Sequence, residues 1–185
     1  IRILEYEKSI KIMKYKPKNI IELFQLVNNL DISLADIDTS DVSDMGELFY
    51  RTKRKDFSGI ENWNTSNVTN MYQMFRGVRT FNSDISGWDV SSVKYMDGMF
   101  RDAENFNQDL SQWDVSNVLE MSKMFFNCIN FNSNISKWNI KNVKDASMMF
   151  FGTANFNQDL SQWNMMNLEN SKYMFHMSGV KNIPK

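Results

Sequence analysis

Apolar and polar residues follow one another along this chain in a pattern that returns every 25 residues. A tryptophan stands at the same place in five successive repeats of the pattern. These residues are Trp63, Trp88, Trp113, Trp138 and Trp163. The surrounding segments agree closely, as FNQDLSQWDVSNVLEMSKMF at 106–125 and FNQDLSQWNMMNLENSKYMF at 156–175 illustrate. A fixed period of this length predicts a tandem array in which each copy is one supersecondary unit packed against its neighbours.

Two earlier segments fit the same template less closely. One runs from Phe57 to Phe75 and has one residue fewer between its Phe and its Trp. The other runs from Leu30 to Phe49 and carries Ile37 at the tryptophan position. We therefore count six copies over 30–178, between an N-terminal cap at 1–29 and a C-terminal tail at 179–185.

Each copy is predicted to contain a strand and then a helix. Leu110, Trp113 and Val115 alternate with polar residues, which indicates a short strand with these side chains inward. An apolar stripe with spacings of three and four follows, which indicates a helix. Its members are Val118, Met121, Met124, Phe125 and Cys128. The sequence therefore predicts an α/β solenoid of short parallel strands and short helices.

A polar residue four positions after the tryptophan position precedes each predicted helix. The six are Asp41, Asn67, Ser92, Asn117, Asn142 and Asn167. Such side chains accept hydrogen bonds from free N–H groups at a helix start, so we predict them to be N-caps. A second set of asparagines follows the first Phe of the later copies and is predicted to form a ladder that satisfies turn backbone. These are Asn82, Asn107, Asn132 and Asn157.

The repeated aromatic columns are predicted to be core. Besides the tryptophans, the second Phe of each copy falls on the inward side. These residues are Phe75, Phe100, Phe125, Phe150 and Phe175. A Met-Phe stripe that repeats in every copy is expected of a packed core rather than of a site for a single cofactor.

The cap at 1–29 is predicted to shield the apolar edge of the first copy. Ile10, Ile12 and Tyr15 fit a strand paired with 1–6. After Pro17, Asn19 is placed to cap a helix that has Glu22 at its third position.

Two surfaces are candidate binding sites. The first is an outward ridge of Asp or Asn one residue after the Trp, with a second column two residues later. Its members are Asn64, Asp89, Asp114, Asn139 and Asn164, with Ser91, Ser116, Lys141 and Met166. The second is an apolar patch of Phe126, Met148 and Phe151, where earlier copies carry other residues. The alternative for the patch is that these side chains cover helix ends or pack against further repeats.

Charge and composition narrow the function further. The 185 residues include 21 basic and 22 acidic side chains, a balance that argues against a nucleic-acid partner. A single His and a single Cys, without metal-ligand spacing or a phosphate loop, predict no enzyme, cofactor or metal site. No apolar run is long enough to cross a membrane. The basic stretch Arg51, Lys53, Arg54 and Lys55 is interpreted as a solvated loop, with an anion or partner patch as the alternative.

The motifs WDVSNV, DLSQW and M-x-x-M-F resemble the repeat of BspA-type bacterial surface proteins over 30–175. The resemblance implies a leucine-rich-repeat-like, right-handed coil with Leu110, Trp113 and Val115 on its strand. It also implies a surface or extracellular adhesion module that binds a host protein or glycan. A cytoplasmic protein-interaction scaffold remains the second interpretation. A carboxylate-based glycan enzyme, or a calcium-binding solenoid using Asp89 and Asp114, is a remote third, and the oligomeric state stays open.

Overall fold

The computed structural model describes residues 14–184. The predicted pairing of 10–15 with 1–6 lies outside them except for Tyr15, which forms a parallel bridge with Ile37. Helix α1 spans Ile20–Asn28. The side chain of Asn19 accepts the N–H of Glu22, and the Glu22 carboxylate accepts the N–H of Lys18, so both groups of the predicted cap are in place.

Two 3₁₀ helices, Leu34–Asp36 and Ile60–Asn62, are the remaining helical elements of the described residues. The six copies are numbered from the N-terminus; copies 2 to 6 begin at Phe57, Phe81, Phe106, Phe131 and Phe156. Each copy contributes one residue to a ladder of parallel β-bridges that joins neighbouring copies. The bridging ladder is Asp44, Asn70, Tyr95, Glu120, Asp145 and Asn170.

Backbone hydrogen bonds between copies extend from each bridge through the following segment. In copy 4 the N–H groups of Met121, Lys123, Phe125 and Asn127 donate to copy 5, at 2.8 to 2.9 Å. Their acceptors are the carbonyls of Asp145, Ser147, Met149 and Phe151. All four N–H groups point toward the next copy, so each copy presents donors on one side and acceptors on the other.

The helix predicted over 118–128 is wrong, because this segment is a chain of turns. The Met124 N–H donates to the Met121 carbonyl and that of Phe126 to Lys123, each closing a four-residue β-turn. Lys123 and Asn127 both have φ of 55°, which an α-helix does not allow. Because the hydrogen bond of each turn joins residues three positions apart, apolar side chains return to the core at spacings of three and four, as in a helix. The N-cap assignments made for these helices are wrong for the same reason.

The strand predicted over 110–115 is also wrong, although its alternation of buried and exposed side chains is present. Leu110, Trp113 and Val115 are buried and Asp114 is exposed. The backbone closes turns instead of pairing, since the Trp113 N–H donates to the Leu110 carbonyl and that of Val118 to Val115. Turns held by Asp109 and Asp114 produce the alternation.

Aromatic columns run through the core from copy to copy. Ring centroids of the second Phe column, Phe75 to Phe175, are 5.7 to 5.8 Å apart. The tryptophans are only 4% exposed, and each indole N–H donates to a carbonyl of the preceding copy. In copy 4, for example, Trp113 donates to Ile85 at 3.2 Å. The tryptophans therefore hold neighbouring copies in register as well as filling the core.

Arg54 ties α1 to the array. Its side chain is 6% exposed, and it donates to the carbonyls of Val27, Asn29 and Ile32 at 2.8 to 3.0 Å. These carbonyls belong to the C-terminal end of the helix and the residues after it, where backbone acceptors have no helical partner. For Arg54 the interpretation of a solvated loop is therefore wrong.

Candidate binding surfaces

The outward ridge is built from side-chain turns. Asn64, Asp89, Asp114, Asn139 and Asn164 are exposed, and each accepts the backbone N–H two residues later. The distances are 3.0 to 3.3 Å. Asp and Asn favour this Asx turn because their short side chains reach that N–H. The turn explains why the column alternates freely between Asp and Asn.

Hydrogen bonding lowers the pKa of Asp89 and Asp114. The Ser91 hydroxyl and the Ser91 N–H stabilise the charged form of Asp89, and Ser116 does the same for Asp114. Both carboxylates are therefore ionised near neutral pH and engaged with their own turns. No cluster of three or more His, Cys, Asp or Glu placed for a metal ion occurs in residues 14–184.

The second ridge column is less uniform. Ser91 and Ser116 are half-buried, Lys141 is exposed and Met166 is 90% exposed. The late copies thus differ from the early ones on this face in both charge and polarity.

The asparagines predicted as caps serve the stacking. The side-chain amide N–H groups of Asn67, Asn117, Asn142 and Asn167 donate to carbonyls of the preceding copy at 2.7 to 2.8 Å. The asparagine ladder predicted for the later copies is confirmed. The side chains of Asn82, Asn107 and Asn132 each accept the backbone N–H of the next asparagine in the column. Both asparagine columns therefore have structural partners.

The apolar patch belongs to a longer, partly exposed column. One residue after the second Phe, the copies carry Tyr50, Arg76, Arg101, Phe126, Phe151 and His176, which we name the planar column. All are half-buried except His176, which is exposed. Met148 lies three residues before Phe151 with φ of 55° and is half-buried.

Members of the planar column stack on one another. The rings of Phe126 and Phe151 lie 4.9 Å apart and nearly parallel, and Phe151 is 5.1 Å from His176. The Arg101 guanidinium lies over Phe126 at 5.1 Å, and Arg76 over Tyr50 at 4.9 Å. Sequence analysis missed the roles of Tyr50 and the two arginines; their shared column position was the available signal.

The single cysteine and the single histidine each contact other residues of the array. Cys128 is buried, its thiol donates to the Phe100 carbonyl at 2.8 Å, and burial raises its pKa strongly. A thiol in this state is a poor nucleophile. His176 packs against Phe151 and, at 5.8 Å, against Tyr173.

Asp97 and Glu120 form an acidic pair that sequence analysis did not single out. Burial raises the pKa of both carboxyl groups, and the charge of Asp97 adds to the effect on Glu120. The Ser122 hydroxyl donates to Asp97 at 2.9 Å. This hydrogen bond links copies 3 and 4 beside the bridging ladder.

Six stacked copies, joined by repeated backbone and side-chain hydrogen bonds, define a tandem-repeat protein. The chain belongs to the family described as "Mycoplasma protein of unknown function, DUF285", whose model matches residues 18–124 and 106–183. The overlap of the two matched segments agrees with the internal repetition. No curated protein and no solved structure matches the chain. Within 14–184, no helix has the length and apolar character needed to span a bilayer.

Proposed function

We propose that the chain is a non-catalytic solenoid scaffold that binds a protein partner through the C-terminal part of the planar column. The observation that carries the proposal is the stacked pair Phe126 and Phe151, partly exposed beside Arg101 and His176. Aromatic and arginine side chains on a rigid support are the residue types that dominate protein interfaces.

Departure from the repeat supports this choice of surface. Copies 2 and 3 carry Arg76 and Arg101 where copies 4 and 5 carry Phe126 and Phe151. The fold therefore accepts arginine at this position, and the phenylalanines are not needed to close the core. Half-buried Met148 in copy 5 and exposed Tyr173 and Met177 in copy 6 are further apolar side chains in this C-terminal part of the array.

The non-catalytic part of the proposal rests on how the candidate groups are engaged. Asp89 and Asp114 hold their own turns as carboxylates, and the Cys128 thiol is buried with a raised pKa. General acid catalysis needs a carboxyl group whose proton is retained near neutral pH, which the ridge carboxylates do not provide.

A surface role is supported by the resemblance to BspA-type proteins, which points to an extracellular partner. The second candidate, an intracellular interaction scaffold, uses the same column with a different partner. The ridge remains a candidate contact for glycans at Lys141 and for protein at Met166, the two members that depart from its repeated residues.

The test replaces Phe126 and Phe151 by arginine together, as F126R/F151R. The variant introduces arginine, which copies 2 and 3 already carry at this position, so its unfolding midpoint should match that of the wild type. Binding to an array of extracellular-matrix proteins, and separately to bacterial lysate proteins, should fall about tenfold or more for a genuine partner. R76K is the matched control in an early copy and should bind as wild type.

Equal binding of F126R/F151R and wild type to every captured protein would contradict the proposal. Capture from matrix proteins favours the surface role, whereas capture only from lysate favours the intracellular one.

A further inference from the structure

The junction between copies 1 and 2 lacks hydrogen bonds that the later junctions have. Gly77, Asp102, Asn127 and Gly152 each donate their N–H to the next copy. The equivalent residue in copy 1 is Arg51, whose N–H has no acceptor within 14–184. The N–H groups of Asn105, Asn130 and Asn155 donate back to the preceding copy at the adjacent corner. Their equivalent, Thr80, donates to none of the described residues.

The sequence explains why this corner stays open. Six positions separate Arg51 from Phe57, whereas four separate Gly77 from Phe81 in the next copy. The longer segment cannot follow the register of the copy below it. Two backbone donors are consequently left without the carbonyls that satisfy their equivalents elsewhere.

A cavity of about 260 Å³ occupies the open corner. The residues that line it are Arg51, Thr52, Arg54, Lys55, Gly77, Val78, Arg79 and Thr80. Four are cationic and none is acidic. Opposite charge lies outside the lining: Glu104 pairs with Arg79 at 3.3 Å, and both side chains of that pair are substantially exposed.

Arg54 supplies a fixed positive group at this cavity. Its Nε and Nη2 atoms donate to carbonyls near the end of α1, which holds the guanidinium plane in place. The remaining Nη1 has no acceptor within the described residues, where every buried side-chain nitrogen is satisfied. Nη1 therefore reaches solvent, and the cavity is the open space that Arg54 lines.

We propose that this cavity binds a tetrahedral oxyanion group, a sulfate or a phosphate. Such a group carries several acceptor oxygens in different directions, which suits guanidinium, ammonium and backbone N–H donors arranged around one cavity. The source is either a free inorganic anion or an ester on a sulfated glycan. The site lies in copies 1 and 2, away from Phe126 and Phe151, and does not depend on the proposed function.

The test is an NMR titration of the whole chain with sodium sulfate and with sodium phosphate, against sodium chloride at matched ionic strength. Saturable shifts of the Arg51 and Thr80 amides are expected with the two oxyanions. The variant R51Q/K55Q should bind about tenfold more weakly. Both of its changed side chains are exposed, so the fold should persist. K137Q/K181Q is the control, with the same loss of charge at exposed sites elsewhere.

A parallel titration with a heparin octasaccharide and its desulfated form separates the two sources. Tighter binding of the sulfated form, lost in R51Q/K55Q, identifies a glycan ester; affinity no greater than that of inorganic sulfate identifies the free anion. The proposal is overturned if shifts do not saturate or spare Arg51 and Thr80. It is also overturned if the control loses as much affinity as R51Q/K55Q.

Discussion

Each tryptophan of the array acts in two ways. The ring of Trp113 fills the core and stacks on Trp138 with centroids 6.5 Å apart, while its N–H satisfies the Ile85 carbonyl of the copy before. An indole thus removes apolar area from water and supplies a buried hydrogen bond at the same position. No other side chain has this combination of size and a single donor.

Replacing Trp113 by alanine should lower the free energy of unfolding by about 3 to 5 kcal/mol, since it leaves a large cavity in mid-array. Trp113→Phe keeps an aromatic ring but removes the indole donor to the Ile85 carbonyl, which still accepts the backbone N–H of Trp88, and should cost about 0.5 to 1.5 kcal/mol. Urea unfolding followed by circular dichroism measures both. An unchanged midpoint for the alanine variant would show that the ring is not buried.

The ridge carboxylates should make stability depend on pH in acid. The pKa of both carboxyl groups in the folded state lies below the ordinary value of 3.8. Their contribution to the free energy of unfolding is therefore complete when the pH is above that value. It is lost as pH falls through the lower folded-state pKa. D89N/D114N should fold like the wild type at pH 7, because Asn64 and Asn139 hold the same turn.

The free energies of unfolding at pH 7 and pH 3 should therefore differ less for D89N/D114N than for the wild type. An equal difference in the two proteins would show that these carboxylates do not support the fold.

At the scale of the element, the copies are built from turns whose key positions have positive φ. Lys123, Met148 and Tyr173 share one such column with Gly98, and Asn127 shares another with Gly77 and Gly152. Glycine and asparagine adopt this conformation easily, whereas lysine and methionine are strained in it. The fold therefore carries local strain that the hydrogen bonds between copies must offset.

Lys123→Gly separates the turn from the predicted helix. Glycine in a helix interior costs about 1 kcal/mol, whereas at positive φ it should leave stability unchanged or raise it by up to about 1 kcal/mol. Lys94→Gly, at an exposed position with ordinary φ, is the control and should cost about 0.5 to 1 kcal/mol. If Lys123→Gly destabilises as much as the control, the positive φ at this position is wrong.

The sequence predicts which side chains are buried better than how the backbone runs. The spacing of Val118, Met121 and Phe125 indicates the inward face correctly, because successive turns and a helix bring side chains inward at nearly the same period. Gly98, Asn127 and Gly152 were the signal against a helix, since all three lie inside the segments predicted to be helical. The acceptors of the tryptophan and asparagine N–H groups lie one copy away and depend on the register of stacking, which a single copy does not reveal.

Across the whole molecule, repeated residues hold neighbouring copies together, and we propose that positions departing from the repeat form the binding surfaces. Ridge, asparagine and tryptophan columns all have partners within the array, so their regularity has a structural cause. The columns change at Lys141 and Met166 of the ridge and in the late planar column, and the regular spacing is interrupted at the open corner beside Arg51. The structure separates the repeated residues that hold turns from the positions whose residues change from copy to copy.

Neighbouring copies are joined by backbone hydrogen bonds through segments that are not helical. A long-range HNCO experiment detects coupling across individual hydrogen bonds and identifies donor and acceptor directly. It should connect the Lys123 amide nitrogen to the Ser147 carbonyl carbon and that of Phe125 to Met149, one copy ahead in each case. Correlations from Lys123 to Leu119 and from Phe125 to Met121, four residues back, would instead show that this segment is an α-helix without these hydrogen bonds between copies.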